Sequence, residues 1–175
     1  MPLDHLWATW RSAYVRKVVD TRTLPSPEEA DGKTLFERIL AGADEEGDLA
    51  AGILHRGATC FAILNAFPYT AGHLMVLPNR AVADLEDLAQ DEHDELWATV
   101  RDAVVALKAA LQCDAVNVGL NLGPAAGGSQ SDHLHVHCVP RWQGDANFIG
   151  VTAETRVLPL SLPEVGERLR AAWPS

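Results

Sequence analysis

Short apolar or alternating stretches, each bounded by turn residues, recur along this chain. Because the side chains of a strand point alternately to its two faces, such stretches predict strands. We expect strands at residues 50–56, 59–64, 72–77, 115–120 and 133–139, with a tight turn at Gly57 between the first two.

A spacing of three and four residues between apolar positions marks the helices. The clearest helix covers residues 91–112, with Asp91 as its expected N-cap and acidic residues at the positive end of its dipole. Shorter helices are predicted at 33–41 and 162–173. Five or six short strands with one long helix and short terminal helices predict an α+β fold with an antiparallel sheet.

The composition is that of one globular domain, with 47% hydrophobic and 22% charged residues in 175 positions. Prolines at 25 and 27 mark a boundary, so we expect an N-terminal extension at 1–33, a main domain at 34–155 and a tail with a helix at 156–175. The sequence has no membrane-length apolar run and no signal-peptide pattern. Three cysteines without metal-ligand spacing favour a reducing cytoplasm.

A net charge of −10 argues against non-specific binding to nucleic acid or to an anionic membrane. The charge is uneven, because seven carboxylates fall between residues 81 and 95, whereas residues 115–149 contain only Asp132, Arg141 and Asp145 as charged residues. Neutral hydrogen-bond donors would therefore have to bind any phosphate in this second region.

Three of the seven histidines occupy alternate positions, His133, His135 and His137. On a strand, residues two apart lie ~6.6 Å apart on one face, so the imidazoles emerge together while Leu134, Val136 and Cys138 enter the core. Burying three polar rings without a function would be costly. Two chemistries fit: three ligands of a catalytic metal, or a nucleophilic imidazole whose neighbours orient it and move protons.

The segment before the histidines, residues 121–131, is rich in glycine and in neutral donors. Successive backbone N–H groups in such a loop form an anion-binding concavity, and glycine lets the backbone approach a ligand closely. The side chains of Ser129, Gln130 and Ser131 add uncharged donors. A phosphate cradle beside a histidine favours the nucleophile over the metal centre.

Two motifs carry a resemblance to a known family. The run AGGSQSDHLHVHCVPRW at 126–142 resembles the His-x-His-x-His signature of the histidine triad (HIT) superfamily of nucleotidyl hydrolases and transferases. The run NAFPYTAGHLMVLPNR at 65–80 is similar to the family's second motif, Asn/Asp-x-x-Pro-x-x-x-Gly-His-x-Leu/Met-Val-x-Pro. The resemblance covers roughly residues 35–150.

The resemblance implies a reaction in which His135 attacks the α-phosphate and becomes a nucleotidyl-histidine. It implies that His133 and His137 orient His135 and help to protonate the leaving oxygen, and that His73 supports the triad. The implied nucleotide-binding residues are Ile63 beside the base, Asn65 at the ribose, and Asn121, Gly128, Ser129 and Gln130 near the phosphates. The chain has one residue more than the usual Ala-Gly-Gln-Ser/Thr, which leaves the register of Ser129 and Gln130 open.

Two further segments resemble bacterial HIT enzymes that act on diadenosine tetraphosphate. These are the N-terminal Leu-Trp-x-x-Trp-Arg-x-x-Tyr pattern and PRWQGDANF at 140–148. For the first we favour packing on the domain or a partner subunit over contact of Trp7 or Trp10 with a second adenosine. Arg141 is the cation nearest the expected polyphosphate, with a surface salt bridge as its alternative fate.

This branch implies a dinucleoside polyphosphate as substrate, inorganic phosphate rather than water as the preferred acceptor, and a homodimer. The alternatives are hydrolysis of the same substrates or of nucleoside phosphoramidates, a non-catalytic nucleotide-binding module, and a metal-dependent enzyme. The motif requires no cofactor, although a divalent cation such as magnesium can accompany the substrate. Many relatives carry a Cys-x-x-Cys zinc half-site where this chain has Thr34-Leu35-Phe36-Glu37, so we expect no structural zinc.

Overall fold

One antiparallel sheet lies at the centre of the computed structural model, which describes residues 32–44, 47–126, 130–145 and 158–174. Across the sheet the strands follow the order β1-β2-β3-β5-β4. In chain order they are β1 (Ile53–Arg56), β2 (Cys60–Leu64), β3 (Leu74–Pro78), β4 (Ala115–Leu120) and β5 (Val136–Arg141). The predicted α+β fold with an antiparallel sheet is confirmed, with five strands in the described part.

Four α-helices accompany the sheet in the described residues. They are α1 (Leu35–Gly42), α2 (Asp48–Ala51), α3 (Gln90–Leu111) and α4 (Leu162–Ala171). The long helix α3 packs across β2, β3 and β5, and α4 packs against α3 and β1. The predicted long helix is therefore confirmed, and the C-terminal helix is part of the same packed unit.

The alternation of side chains divides the core into two clusters. Between the sheet and α3 lies the larger cluster, which includes Leu134, Val136 and Cys138, the positions expected to be buried behind the histidines. The smaller cluster combines Phe36 of α1 with side chains of the first three strands, namely Ile53, Phe61, Ile63, Met75 and Leu77. Ile63 and His137 lie on the side of the smaller cluster, because they occupy the alternate positions of their strands.

The prediction of a strand at 50–56 is wrong in its first half. Residues up to Ala51 form α2, and Gly52 ends this helix with φ +82°, its N–H directed at the carbonyls of Asp48 and Leu49. Glycine adopts this left-handed conformation without a steric penalty, so the chain turns there and β1 begins only at Ile53.

The predicted strand at 133–139 is also wrong at its start, because β5 begins at Val136. The register would next pair His135 and Leu134 with the end of β3, but Pro78 there has no N–H to donate. The N–H of Leu134 instead donates to the carbonyl of Val82 at 2.6 Å. His133 and His135 therefore lie in the segment that leads into the strand.

The predicted N-cap of the long helix is wrong by two residues. The cap is Ala89, whose N–H donates to the carboxylate of Glu92 at 2.9 Å. Glu92 also binds the guanidinium of Arg80 at 2.6 Å. Reciprocal bonding by the third helical residue replaces the side-chain cap expected from Asp91.

The chain divides into two compact units, of which Lys33–Asp145 with Val157–Ser175 carries all of these elements. The other unit, Met1–Gly32 with Ala146–Arg156, lies outside the described residues except for Gly32. The expected packing of the N-terminal aromatic segment with Trp7 and Trp10 thus lies outside the described residues. No helix in the described ranges is long and apolar enough to cross a bilayer.

Candidate active site

A single row of paired residues crosses the sheet and places the third histidine. Ile53 pairs with Ile63, Ile63 with Met75, Met75 with His137, and His137 with Gly119. Side chains of directly paired residues share a face. His137 therefore lies on the face of the smaller apolar cluster, and a Cβ built on Gly119 would have no atom within 4 Å. Space for a ligand is thus open on the β4 side of His137.

The ring of His135 is held in one tautomer by the backbone. Its Nδ1 lies 2.8 Å from the carbonyl oxygen of His133. A carbonyl only accepts, so Nδ1 carries the proton, and in a neutral ring Nε2 then has a free lone pair. Within the described part of the chain, Nε2 has no hydrogen-bond partner. The side chain is 7% exposed and meets His137 edge-on, with ring centroids 4.8 Å apart.

A chain of donors fixes the protons of His73 and His137. The backbone N–H of Tyr69 donates to Nδ1 of His73 at 3.1 Å, so the proton of His73 is on Nε2. That Nε2–H donates to Nδ1 of His137 at 2.9 Å. Burial, assisted by the nearby His135, lowers the pKa of His137 to about 4. Near pH 7, His137 is therefore neutral and presents an Nε2–H.

His133 is placed differently from the other two members of the row. Its ring is fully buried, with Nε2 2.9 Å from the carbonyl of Pro78 and Nδ1 2.8 Å from Oγ1 of Thr34. Burial lowers the pKa of His133, so the ring is neutral, its proton is on Nε2 and Nδ1 accepts from the threonine hydroxyl. Because both ring nitrogens are engaged, this ring has no lone pair for a metal and no proton for a substrate.

The residues that stand where many relatives carry a zinc half-site do not fit a metal. Thr34 stands in place of one thiolate, and the carboxylate of Glu37 accepts from the backbone N–H of Thr34 at 2.8 Å and of Ala81 at 3.1 Å. No three His, Cys, Asp or Glu side chains are grouped to hold a metal ion anywhere in the described ranges. Oxygens already used as hydrogen-bond acceptors, without a thiolate or a free imidazole nearby, are a poor donor set for zinc.

The residues expected at the base and ribose lie on the same face as His137. Ile63 is 3% exposed within the smaller apolar cluster, next to Met75. Asn65 follows β2, accepts from the N–H of Phe67 at 2.9 Å and is half-buried. Its Nδ2 faces the sulfur of Met75 at 3.7 Å, a weak acceptor that leaves this amide available to a ligand.

The residues expected at the phosphates are only partly described. Asn121 directly follows β4, whose last residue, Leu120, pairs with Val136 at the start of β5. Gln130 is half-buried. Gly128 and Ser129 lie outside the described residues, and the register of this loop stays a prediction.

Arg141 forms a salt bridge, which was the predicted alternative to phosphate binding. Its guanidinium forms two hydrogen bonds with Asp145, at 2.6 and 2.7 Å, and a third with Asn117 at 2.9 Å. The hydrogen bonds from Arg141 lower the pKa of Asp145 to about 2, so the carboxylate stays charged and keeps the arginine paired.

Sequence reasoning missed four residues that surround the histidines: Thr34, Phe36, Tyr69 and Met75. Alternation offered a signal for Met75, which lies two positions after His73 and so shares its face. The contacts of Phe36 with the rings of His133 and His135, at centroid distances of 5.5 and 6.0 Å, join residues almost a hundred positions apart and have no local signature.

Comparison with known proteins agrees with this geometry. The HIT domain model matches residues 47–144. The chain is 41% identical over 174 residues to a Mycobacterium tuberculosis protein named AP-4-A phosphorylase, covering 98% of this chain and 85% of that protein. It is 33% identical over 93 residues to the Schizosaccharomyces pombe bis(5'-nucleosyl)-tetraphosphatase [asymmetrical], which is 53% of this chain and 50% of that one.

A solved structure repeats the fold. The zinc-bound histidine triad family protein of Mycobacterium smegmatis superposes with a TM-score of 0.63 at 28% identity, over 79% of this chain and 91% of that protein. Motifs, fold and relatives agree, and the chain belongs to the HIT family.

Proposed function

We propose that this protein cleaves dinucleoside polyphosphates, with diadenosine tetraphosphate as the favoured substrate, and that inorganic phosphate is the preferred acceptor. The observation that carries the proposal is the bond from Nδ1–H of His135 to the carbonyl of His133, which leaves Nε2 as a nucleophile. The name of the M. tuberculosis relative, a phosphorylase of this substrate, supports the choice of substrate and acceptor.

The reaction is a double displacement at phosphorus. Nε2 of His135 bonds to the α-phosphorus, and the bond from that phosphorus to the bridging oxygen breaks, releasing ATP. An oxygen of inorganic phosphate then attacks the nucleotidyl-histidine, the phosphorus–nitrogen bond breaks, and ADP leaves. Water as acceptor would release AMP instead.

The neighbouring histidines have different tasks in this proposal. The Nε2–H of His137 donates to a non-bridging or leaving oxygen, since His73 occupies its other nitrogen. The buried His133 acts through its backbone carbonyl rather than through its ring. Such preorganised donors supply most of the rate in phosphoryl-transfer chemistry.

The nucleotide is bound by the residues that the family resemblance implies. The adenine packs on Ile63, the ribose hydroxyls bond to Asn65, and Asn121 and Gln130 lie on the phosphate side. The expected backbone donors of this side are Gly128 and Ser129. The motif needs no resident cofactor, and magnesium would enter with the polyphosphate.

Replacing the nucleophile tests the mechanism. We expect His135→Ala to lose at least about 1,000-fold in kcat while binding of ADP and ATP stays within about three-fold, because the ring supplies the attacking atom but little binding. Turnover would be followed by chromatography and binding by calorimetry. Activity close to that of the unaltered protein would contradict the nucleophile assignment.

The products identify the acceptor. With diadenosine tetraphosphate and inorganic phosphate we expect ADP and ATP, and labelled phosphate should appear in the ADP. AMP and ATP in the presence of phosphate would make the protein a hydrolase, and cleavage of nucleoside phosphoramidates alone would change the substrate class. Tight nucleotide binding without turnover would make the protein a non-catalytic nucleotide-binding module.

We also propose a homodimer and a cytoplasmic location. The strand β4 is at the edge of the sheet, and Asn117, Val118 and Gly119 are exposed along it, which supports pairing with a second copy. All three cysteines are free and buried, which agrees with a reducing compartment.

A further inference from the structure

Four residues join the start of α1 to the segment before β5, and we name them the α1 clasp: Thr34, Glu37, Ala81 and His133. Oε2 of Glu37 accepts from the N–H of Thr34 at 2.8 Å and lies 3.1 Å from its hydroxyl. Oε1 accepts from the N–H of Ala81 at 3.1 Å. The threonine hydroxyl lies 2.8 Å from Nδ1 of His133. The clasp thus joins three segments that are far apart in the sequence.

The hydrogen bonds of the clasp leave the hydroxyl proton of Thr34 for His133. The hydroxyl of Thr34 has one proton and two acceptors within reach, and the shorter distance is to His133. The carboxylate of Glu37 is already satisfied by backbone donors, and the N–H of Thr34, with that of Ala81, lowers the pKa of Glu37. A charged carboxylate with several donors holds the N-terminus of α1 more firmly than a neutral group would.

His133 is the point where the clasp reaches the reacting atoms. Its ring is held at Nδ1 by Thr34 and at Nε2 by the carbonyl of Pro78, so it cannot rotate without breaking a buried hydrogen bond. The carbonyl of the same residue receives the Nδ1–H of His135. A shift of His133 would therefore release the bond that keeps Nε2 of His135 unprotonated.

We propose that Thr34 and Glu37 are positioning residues for the nucleotidyl transfer. Their hydrogen bonds hold His133 in place without a metal ion, and His133 in turn fixes the tautomer of His135. This inference rests on the proposed function. The residues present do not fit the zinc half-site of the relatives, and the clasp offers an alternative means of fixing the same segment.

Substitutions of Thr34 test the proposal. Thr34→Val keeps the shape but removes the hydroxyl, and we expect kcat to fall about 10- to 100-fold with KM within about two-fold, as small displacements of reacting groups commonly cause. Thr34→Ser should recover kcat to within about three-fold of the unaltered protein, because the hydroxyl returns. Glu37→Gln should lower kcat by an amount between those of Thr34→Ser and Thr34→Val, since one of its acceptor oxygens is replaced by a donor.

A matched control separates positioning from loss of a helix cap. Thr34 caps α1 by accepting from the N–H of Glu37, and Ser161 caps α4 in the same way through Glu164. Ser161→Ala removes a cap of the same kind without contact to His133, so it should lower the midpoint of thermal unfolding while leaving kcat unchanged. Equal kcat values for Thr34→Val, Ser161→Ala and the unaltered protein would overturn the proposal.

Imidazole NMR provides a readout that does not depend on turnover. In protein labelled with 15N-histidine, we expect His135 as the Nδ1–H tautomer and His133 as the Nε2–H tautomer, with a mixture at His135 in Thr34→Val. Unchanged ring signals in that variant would overturn the clasp even if the enzyme is active. If the protein does not cleave dinucleoside polyphosphates, the ring signals still test the clasp. Failure of the clasp can therefore be told apart from failure of the proposed function. Stoichiometric zinc in the purified protein would also overturn it.

Discussion

At the level of single residues, the site depends on which nitrogen of each ring carries its proton. The carbonyls of His133 and Pro78 accept, and the N–H of Tyr69 donates, so three backbone groups determine the tautomers of three rings. The row of histidines is therefore not a set of equal partners. In the proposed reaction His135 is the nucleophile, His137 donates a proton, and His133 holds His135 in place.

Burial of His137 predicts a pH dependence of stability. Because its pKa is about 4 in the folded protein and near 6.5 in the unfolded chain, the unfolded state binds more protons between these values. The free energy of unfolding should therefore decline as pH falls from about 6.5 towards 4, by on the order of 1–2 kcal/mol after allowance for the partial exposure of the ring. Denaturant unfolding at several pH values would measure this.

The control for this prediction is His137→Gln, which removes the titrating ring. The decline should become smaller in the variant, although His133, whose pKa is also lowered by burial, still contributes. An equally steep decline in both proteins would contradict the assigned neutral state of His137.

At the level of elements, the turn into β3 connects the helix to the site. Gly72 has φ +90°, and a Cβ there would overlap the side chain of Leu111 and approach that of Pro140 to 3.3 Å. The next residue is His73, which contacts His137. Close packing of this turn against the end of α3 thus sets the position of a histidine in the site.

We expect Gly72→Ala to destabilise the protein by about 1–3 kcal/mol, from backbone strain and overpacking together. Activity should fall as well, because His73 would shift. Gly42→Ala is the matched control, since a Cβ at Gly42 meets no atom within 4 Å, and it should change stability by no more than about 0.5 kcal/mol. Thermal unfolding compares the variants, and similar midpoints for both would contradict the packing argument.

At the level of the whole molecule, the sheet has an exposed edge that a second copy would cover. Val118 on β4 is 43% exposed, which is unusual for a valine at the centre of a six-residue strand. Pairing of two β4 edges would continue the sheet from one protomer into the other and satisfy their backbone groups.

Light scattering should give the mass of two chains, each of 18.9 kDa. Val118→Asp should shift the protein to monomer, because it places two charges at the proposed interface. Val105→Asp is the control, since Val105 is 48% exposed but lies on α3 and not on β4. A monomeric unaltered protein, or a dimer that tolerates Val118→Asp, would contradict pairing through β4.

Most of the helices, strands and buried positions of this protein could be predicted from local patterns in the sequence. Alternation predicted that Leu134, Val136 and Cys138 would be buried behind the histidines, and the three-four spacing predicted α3. These predictions succeeded because the periods of strand and helix are properties of neighbouring residues. The ends of elements were less accurate, because Gly52, Pro78 and Glu92 act there through hydrogen bonds that periodicity does not report.

The sequence by itself determined the fold class, the family and the set of histidines in the candidate site. Only the tertiary structure decided how those histidines differ. The proton positions depend on Thr34, Tyr69 and Pro78, which periodicity does not bring next to the rings they contact. The physical reason is that the side-chain period specifies the face on which an imidazole emerges, whereas its tautomer depends on donors and acceptors that only chain packing brings within hydrogen-bond distance.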